Sequence, residues 1–165
     1  MSIIRIGTIV AIVGILAIVL GVGAFFVDQA SYKTPLDIAA YPSAVPWGLP
    51  QSVSPTQRNI YFQVPGVDPA EVASYYQEKL DEHYAQNINN PDRERCVRIP
   101  AEGVFDDSLT SNEVVPFQFV CVFGRFGFNS SQQTTVYIQP GLQNDDPAKN
   151  TEGMAVVQYE QIWQP

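Results

Sequence analysis

Residues Ile6 to Val27 read IGTIVAIVGILAIVLGVGAFFV, a run without a single charged side chain. As one helix it extends roughly 33 Å at 1.5 Å per residue, against a bilayer hydrocarbon core of about 30 Å. The reading is therefore a single transmembrane helix. Everything from Asp28 onward is polar-patterned and punctuated by proline and glycine, which predicts a folded domain held at the membrane surface. Val22-Gly23-Ala24 loosely matches a small-residue cleavage site for a signal peptide. The apolar run is about twice a usual signal core, and Phe25, Phe26 and Val27 prolong it past that site, so a retained anchor is expected.

With the run set aside, about 135 of the 165 residues remain, enough for one domain with a modest core. Nine Lys and Arg against seventeen Asp and Glu give a formal charge of -8, scattered along the chain. Nucleic acid and anionic headgroups both need clustered basic side chains, so neither is expected as a partner. Arg5 and the amino terminus precede the run, and Asp28 is the first charge after it. The positive-inside rule then puts the N-terminus in the cytoplasm and the domain in the periplasm or outside the cell. Cys96 and Cys121 suit that side, where an oxidising compartment preserves a disulfide. Their bridge would close a loop of about 25 residues and add on the order of 3 kcal/mol.

Small residues at Gly7, Ala11, Gly14 and Gly21 fall along one stripe of the predicted membrane helix. Such a stripe lets a second helix backbone approach closely, which is how helices associate in lipid. Ile9, Ile12, Leu16, Val19 and Leu20 lie on the lipid-facing sides. The stripe predicts other integral membrane subunits as partners.

Residues 1–30 thus read as the membrane segment, 31–58 as a proline-rich strap, and 59–165 as an extracytoplasmic domain. The strap carries Pro35, Pro42, Pro46, Pro50 and Pro55, which forbid a continuous helix. Its interspersed Leu36, Ile38, Tyr41, Val45, Trp47 and Leu49 suit a segment lying on a surface. Trp47 reads equally as an interfacial anchor or as a plug in the domain's own core. A first strand is expected over Asn59 to Val64. A helix follows, with Asp68 as N-cap, Pro69 at N1, Glu71 completing a capping box, and Val67 with Val72 as a hydrophobic staple. Val72, Tyr75, Tyr76, Leu80 and Tyr84 recur at helical spacing, and the helix is expected to end near Gln86. Further strands are read at Arg95 to Ile99, Val115 to Gly124, Thr134 to Gln139 and Met154 to Trp163, the second of these as a central, covered strand. The expected fold class is α+β, one helix packed on a mainly antiparallel sheet of about five strands.

Tyr41, Pro42 and Ala44, followed by a strand and by a helix carrying Val72, Tyr75, Tyr76 and Leu80, resemble a group of bacterial membrane-anchored extracytoplasmic α+β domains. The resemblance covers Pro35 to Trp163. It implies the fold and the location and carries no activity.

Chemistry-bearing residues are sparse. His83, the single histidine, has no obvious catalytic partner and reads as an exposed residue meeting the helix dipole. Asp106 with Asp107 and Asp145 with Asp146 read as solvated loop acids, since neither pair follows a calcium-loop pattern. No metal site, cofactor, catalytic residue or small-molecule substrate is expected. Packing into the core is the default expectation for Arg125, Phe126 and Phe128, at a strand end among glycines; if their apolar area is exposed, they form with Trp47 the candidate protein interface. The functional expectation is a non-enzymatic accessory subunit of a membrane complex, of the respiratory or photosynthetic electron-transfer kind. The alternative is a cell-surface module that binds a small ligand or peptide between helix and sheet.

Overall fold

The computed structural model describes residues 3–85, 95–105 and 114–165, with side chains from residue 12 onward. Helix α1 (Ile3–Ser31) precedes strands β1 (Val45–Pro46), β2 (Gln51–Ser54) and β3 (Gln57–Pro65). Helix α2 (Pro69–Tyr84) follows, and then β4 (Val97–Ile99), β5 (Gln118–Phe126), β6 (Ser131–Pro140) and β7 (Met154–Gln164). The strands form one sheet in the order β1-β3-β7-β6-β5-β4, with β2 also on β3. Each pairing is antiparallel. The fold is α+β, and it has seven strands among the described residues where about five were expected.

The two additional strands lie in the proline-rich segment. Val45–Pro46 and Gln51–Ser54 attach to the outer edge of β3 by antiparallel pairing. They are too short to show the alternation by which strands are recognised, and Pro46 is tolerated because it sits on an edge. A second difference concerns β5. It is not central: among the described residues only β4 lies outside it, and β4 covers just Gln118 to Val120.

α2 forms where its caps are written. The Asp68 carboxylate accepts the Ala70 N–H at 2.7 Å, and Pro69 stands at the first turn. Glu71, expected to turn back on the cap, instead accepts the Tyr41 hydroxyl at 3.0 Å. The last helical residue is Tyr84, and Gln86 lies outside the described residues, as do Asp106 and Asp107.

One face of the sheet carries the core in register. Phe62 faces Val157, Val157 faces Ile138, and Ile138 faces Phe119. The next row on that face runs Ile60, Tyr159, Val136 and Cys121. Val72, Tyr76 and Leu80 of α2 close this face with Phe123, all fully buried. Each such side chain contributes about 1.5–3 kcal/mol by leaving water. Cys96 and Cys121 are joined as a disulfide across the β4 side of the sheet.

α2 also protects the part of β5 that β4 leaves open. The Gly124 N–H donates to the Tyr84 hydroxyl at 2.9 Å, and His83 Nε2 lies 3.0 Å from the Gly124 carbonyl oxygen. A carbonyl only accepts, so His83 holds its proton on Nε2. His83 is half-buried between Tyr84 and Phe123 rather than exposed, because it caps a strand edge that would otherwise present unpaired main-chain groups.

Candidate functional site: the helix–domain junction

Moving along the sheet toward the β5–β6 turn, the core face changes from apolar to polar. The row beyond Tyr159 and Val136 consists of Arg58, Gln161, Thr134 and Phe123, and the next holds Trp163, Gln132 and Arg125. Gln132, Thr134 and Gln161 are buried. Buried polar side chains require partners, and here all three donate to the main chain leaving α1, while Gln161 Oε1 accepts from Arg58 and Gln132 Oε1 is buried without a partner among the described residues.

The chain is gripped at successive points. Asp28 accepts from Arg125 Nη2 at 2.8 Å, and the Arg125 guanidinium lies 4.6 Å from the centre of the Tyr32 ring. Gln29 Nε2 donates to the Phe128 carbonyl at 3.2 Å. Gln132 Nε2 donates to the Ser31 and Thr34 carbonyls at 2.7 and 2.6 Å. The Leu36 carbonyl accepts from Thr134 Oγ1 at 2.6 Å and Gln161 Nε2 at 2.7 Å. Tyr32 is buried against Gly127, where an added Cβ would come within 2.8 Å of the ring.

Beyond Leu36 the grip passes to tyrosines. The Tyr41 N–H donates to the Tyr76 hydroxyl at 3.2 Å, and Tyr76 and Tyr159 hydroxyls meet at 2.7 Å. The Tyr159 hydroxyl donates to the Ala39 carbonyl at 3.2 Å. Each phenol has one proton, so Tyr76 donates to Tyr159 and the relay runs in one direction. Tyr75 donates to the Ala40 carbonyl at 3.1 Å. Burial pushes the Tyr76 phenol up to about 12, and burial followed by the neighbouring Tyr76 hydroxyl raises Tyr159 further. Both keep their protons, as donors must.

Residues 31–41 are thus fixed to sheet and helix, and α1 enters the domain without a loose linker. No family model, curated protein or solved structure matches the chain. The geometry of the junction therefore stands on its own.

The residues singled out from sequence fall in three places. Arg125 is at the junction, while Phe126 and Phe128 stand beside it at the β5–β6 turn, exposed to 77 and 72%. Trp47 is not with them: it follows β1 at the far edge of the sheet, half-buried, with its main-chain N–H on the Tyr61 carbonyl at 2.8 Å and its ring edge-on to Tyr61. Gly14 and Gly21 lie on the exposed surface of α1, and an added Cβ meets nothing within 4 Å at either. Gly7 and Ala11 are in the same helix, with side chains outside the described ones. The space between α2 and the sheet is filled by Val72, Tyr76, Leu80 and Phe123. Gln132, Thr134 and Gln161 were not singled out. Their signal was present as polar residues in the inward phase of strands whose other inward positions are Val136, Ile138, Val157 and Tyr159.

Proposed function

We propose that the chain is a non-enzymatic, single-pass accessory subunit of a larger membrane complex. α1 lies in the bilayer, and the disulfide-bonded domain braces the extracytoplasmic face. The carrying observation is the pairing of two features. The window Ile12–Ser31 is long and apolar enough to cross a membrane and is unburied by the rest of the chain, and its last turn is built into the domain. An apolar surface of that extent needs lipid or protein around it.

A signal sequence passes the same test of length and composition. Retention is favoured by the continuity of the helix, which runs unbroken past Ala24 through Phe25, Phe26 and Val27 into the turn that carries Asp28 and Gln29. The disulfide supports an oxidising compartment for the domain. The single histidine is engaged by a main-chain carbonyl, which supports a structural role over a catalytic one. The filled space between α2 and the sheet gives less support to the ligand-binding alternative.

Purification of the full chain from its native membranes in mild detergent tests this. Stoichiometric integral membrane companions are expected, and Gly14→Leu with Gly21→Leu should release them by obstructing close helix approach. Difference absorption spectra of the same preparation read whether the assembly carries electron-transfer cofactors. A lone monomer from undisturbed membranes contradicts the subunit reading.

A further inference from the structure

Phe126 and Phe128 are two large aromatic side chains left in the open beside a tightly bonded junction. We infer that they form a second membrane contact, in which the β5–β6 turn seats in the headgroup–acyl boundary of the leaflet from which α1 emerges. The inference rests on the reading of α1 as a bilayer helix and adds to it a defined lipid-binding surface.

Height is the first argument. Val27 ends the long apolar run of α1, and the two residues after it hold the hairpin: Asp28 bonds Arg125 at 2.8 Å and Gln29 bonds the Phe128 carbonyl at 3.2 Å. From Phe26 to Gln29 the helix rises about 4.5 Å. The polar region of each leaflet is about 5–8 Å deep, so the Phe128 main chain lies at headgroup level. The second argument is chemistry. Phe126 and Phe128 are exposed large apolar residues in a stretch, Phe126 to Thr134, that has no charged side chain. Trp163 lies at the same end of the sheet, paired with Gln132, and aromatic side chains favour this layer. The acidic loop carrying Asp145, Asp146 and Glu152 is at the opposite end, beyond the Pro140–Ala155 pair. Arg125, the cation of the hairpin, is already paired with Asp28, so the hairpin itself needs no anionic headgroup.

Both cysteines of the chain are in the disulfide, so an added cysteine is a unique labelling site. The full chain is reconstituted into phosphatidylcholine vesicles in which part of the lipid is brominated at shallow acyl carbons. A fluorophore on Phe128→Cys, and separately on Phe126→Cys, should be quenched several-fold more than one on Glu152→Cys. Equal quenching at the three sites, with the chain still resistant to carbonate extraction, overturns the lipid contact and leaves the anchor intact. Shielding of position 128 from aqueous iodide in native membranes, with no lipid quenching, assigns the surface to a protein partner and overturns it as well. Release of the chain by carbonate removes the anchor reading itself, and the contact with it.

Discussion

Gln132 offers the sharpest test of the junction, because one side-chain amide holds two carbonyls, those of Ser31 and Thr34, on either side of Lys33. Gln132→Leu keeps the approximate volume and removes the donor. A buried acceptor left without a partner costs about 1–3 kcal/mol. Thr34 is exposed, so water recovers its carbonyl, and Thr34 Oγ1 still reaches the Ser31 carbonyl at 3.4 Å. The substitution also removes Gln132 Oε1, buried without a partner among the described residues, so the net loss for the pair is at most about 1–3 kcal/mol. Opening of residues 31–34 should rise at most about 5- to 150-fold at 1.4 kcal/mol per factor of ten. Lys33 is exposed yet anchored on both sides, so tryptic cleavage after it reports that opening directly. The assay follows the fragment beginning at Thr34 from the full chain in detergent. Gln133→Leu, one residue away and exposed, is the control and should leave the rate near that of the unaltered chain. Equal cleavage rates for the two variants, both folded, would refute the assignment of Gln132 as the clasp.

Three further predictions concern the same frame. The Tyr76 and Tyr159 phenols are held above their ordinary value near 10, so the folded chain keeps protons that the unfolded chain loses. Their contribution is complete below pH 10 and falls above it by about 1.4 kcal/mol per pH unit for each group, with Tyr76 ceasing to add to the loss beyond about 12. Denaturant unfolding at pH 9, 10 and 11 should show this decline, and Tyr76→Phe should flatten it; an unchanged slope counts against the relay. Gly127→Ala places a methyl within 2.8 Å of the Tyr32 ring and should displace that ring, lowering stability by about 1–3 kcal/mol with an altered near-ultraviolet tyrosine signal. Replacing Cys96 and Cys121 by serine opens a loop whose ends are separated by 25 residues and should lower stability by about 3 kcal/mol in the same unfolding assay.

Legibility in the sequence followed the length and regularity of each element. α1 could be read because twenty-odd uncharged residues have few alternatives, and α2 because Asp68 and Pro69 mark its start. β6 and β7 could be read because Val136, Ile138, Val157 and Tyr159 alternate. β1 and β2 could not, since two to four residues on a sheet edge are specified by the main chain of β3 rather than by their own side chains. His83 reads as exposed in the sequence because the gap it fills is created by the shortness of β4, which local pattern does not reveal. Arg125, Phe126 and Phe128 stood out as a group, but the sequence could not divide them into a junction residue and an exposed tip. That division depends on Asp28, 97 positions earlier, reaching Arg125. The same separation hid the roles of Gln132, Thr134 and Gln161, whose polarity makes sense only once residues 31–36 lie across them.

The central claim is that α1 and the domain move as one body, joined by bonds from Asp28 to Tyr41. Spin labels on Val22→Cys in the helix and Gln133→Cys on the sheet, in the full chain reconstituted into vesicles, measure this by pulsed electron spin resonance. A single narrow distance distribution is predicted. A broad distribution, with the chain still embedded in the bilayer, would show a flexible tether and contradict the account.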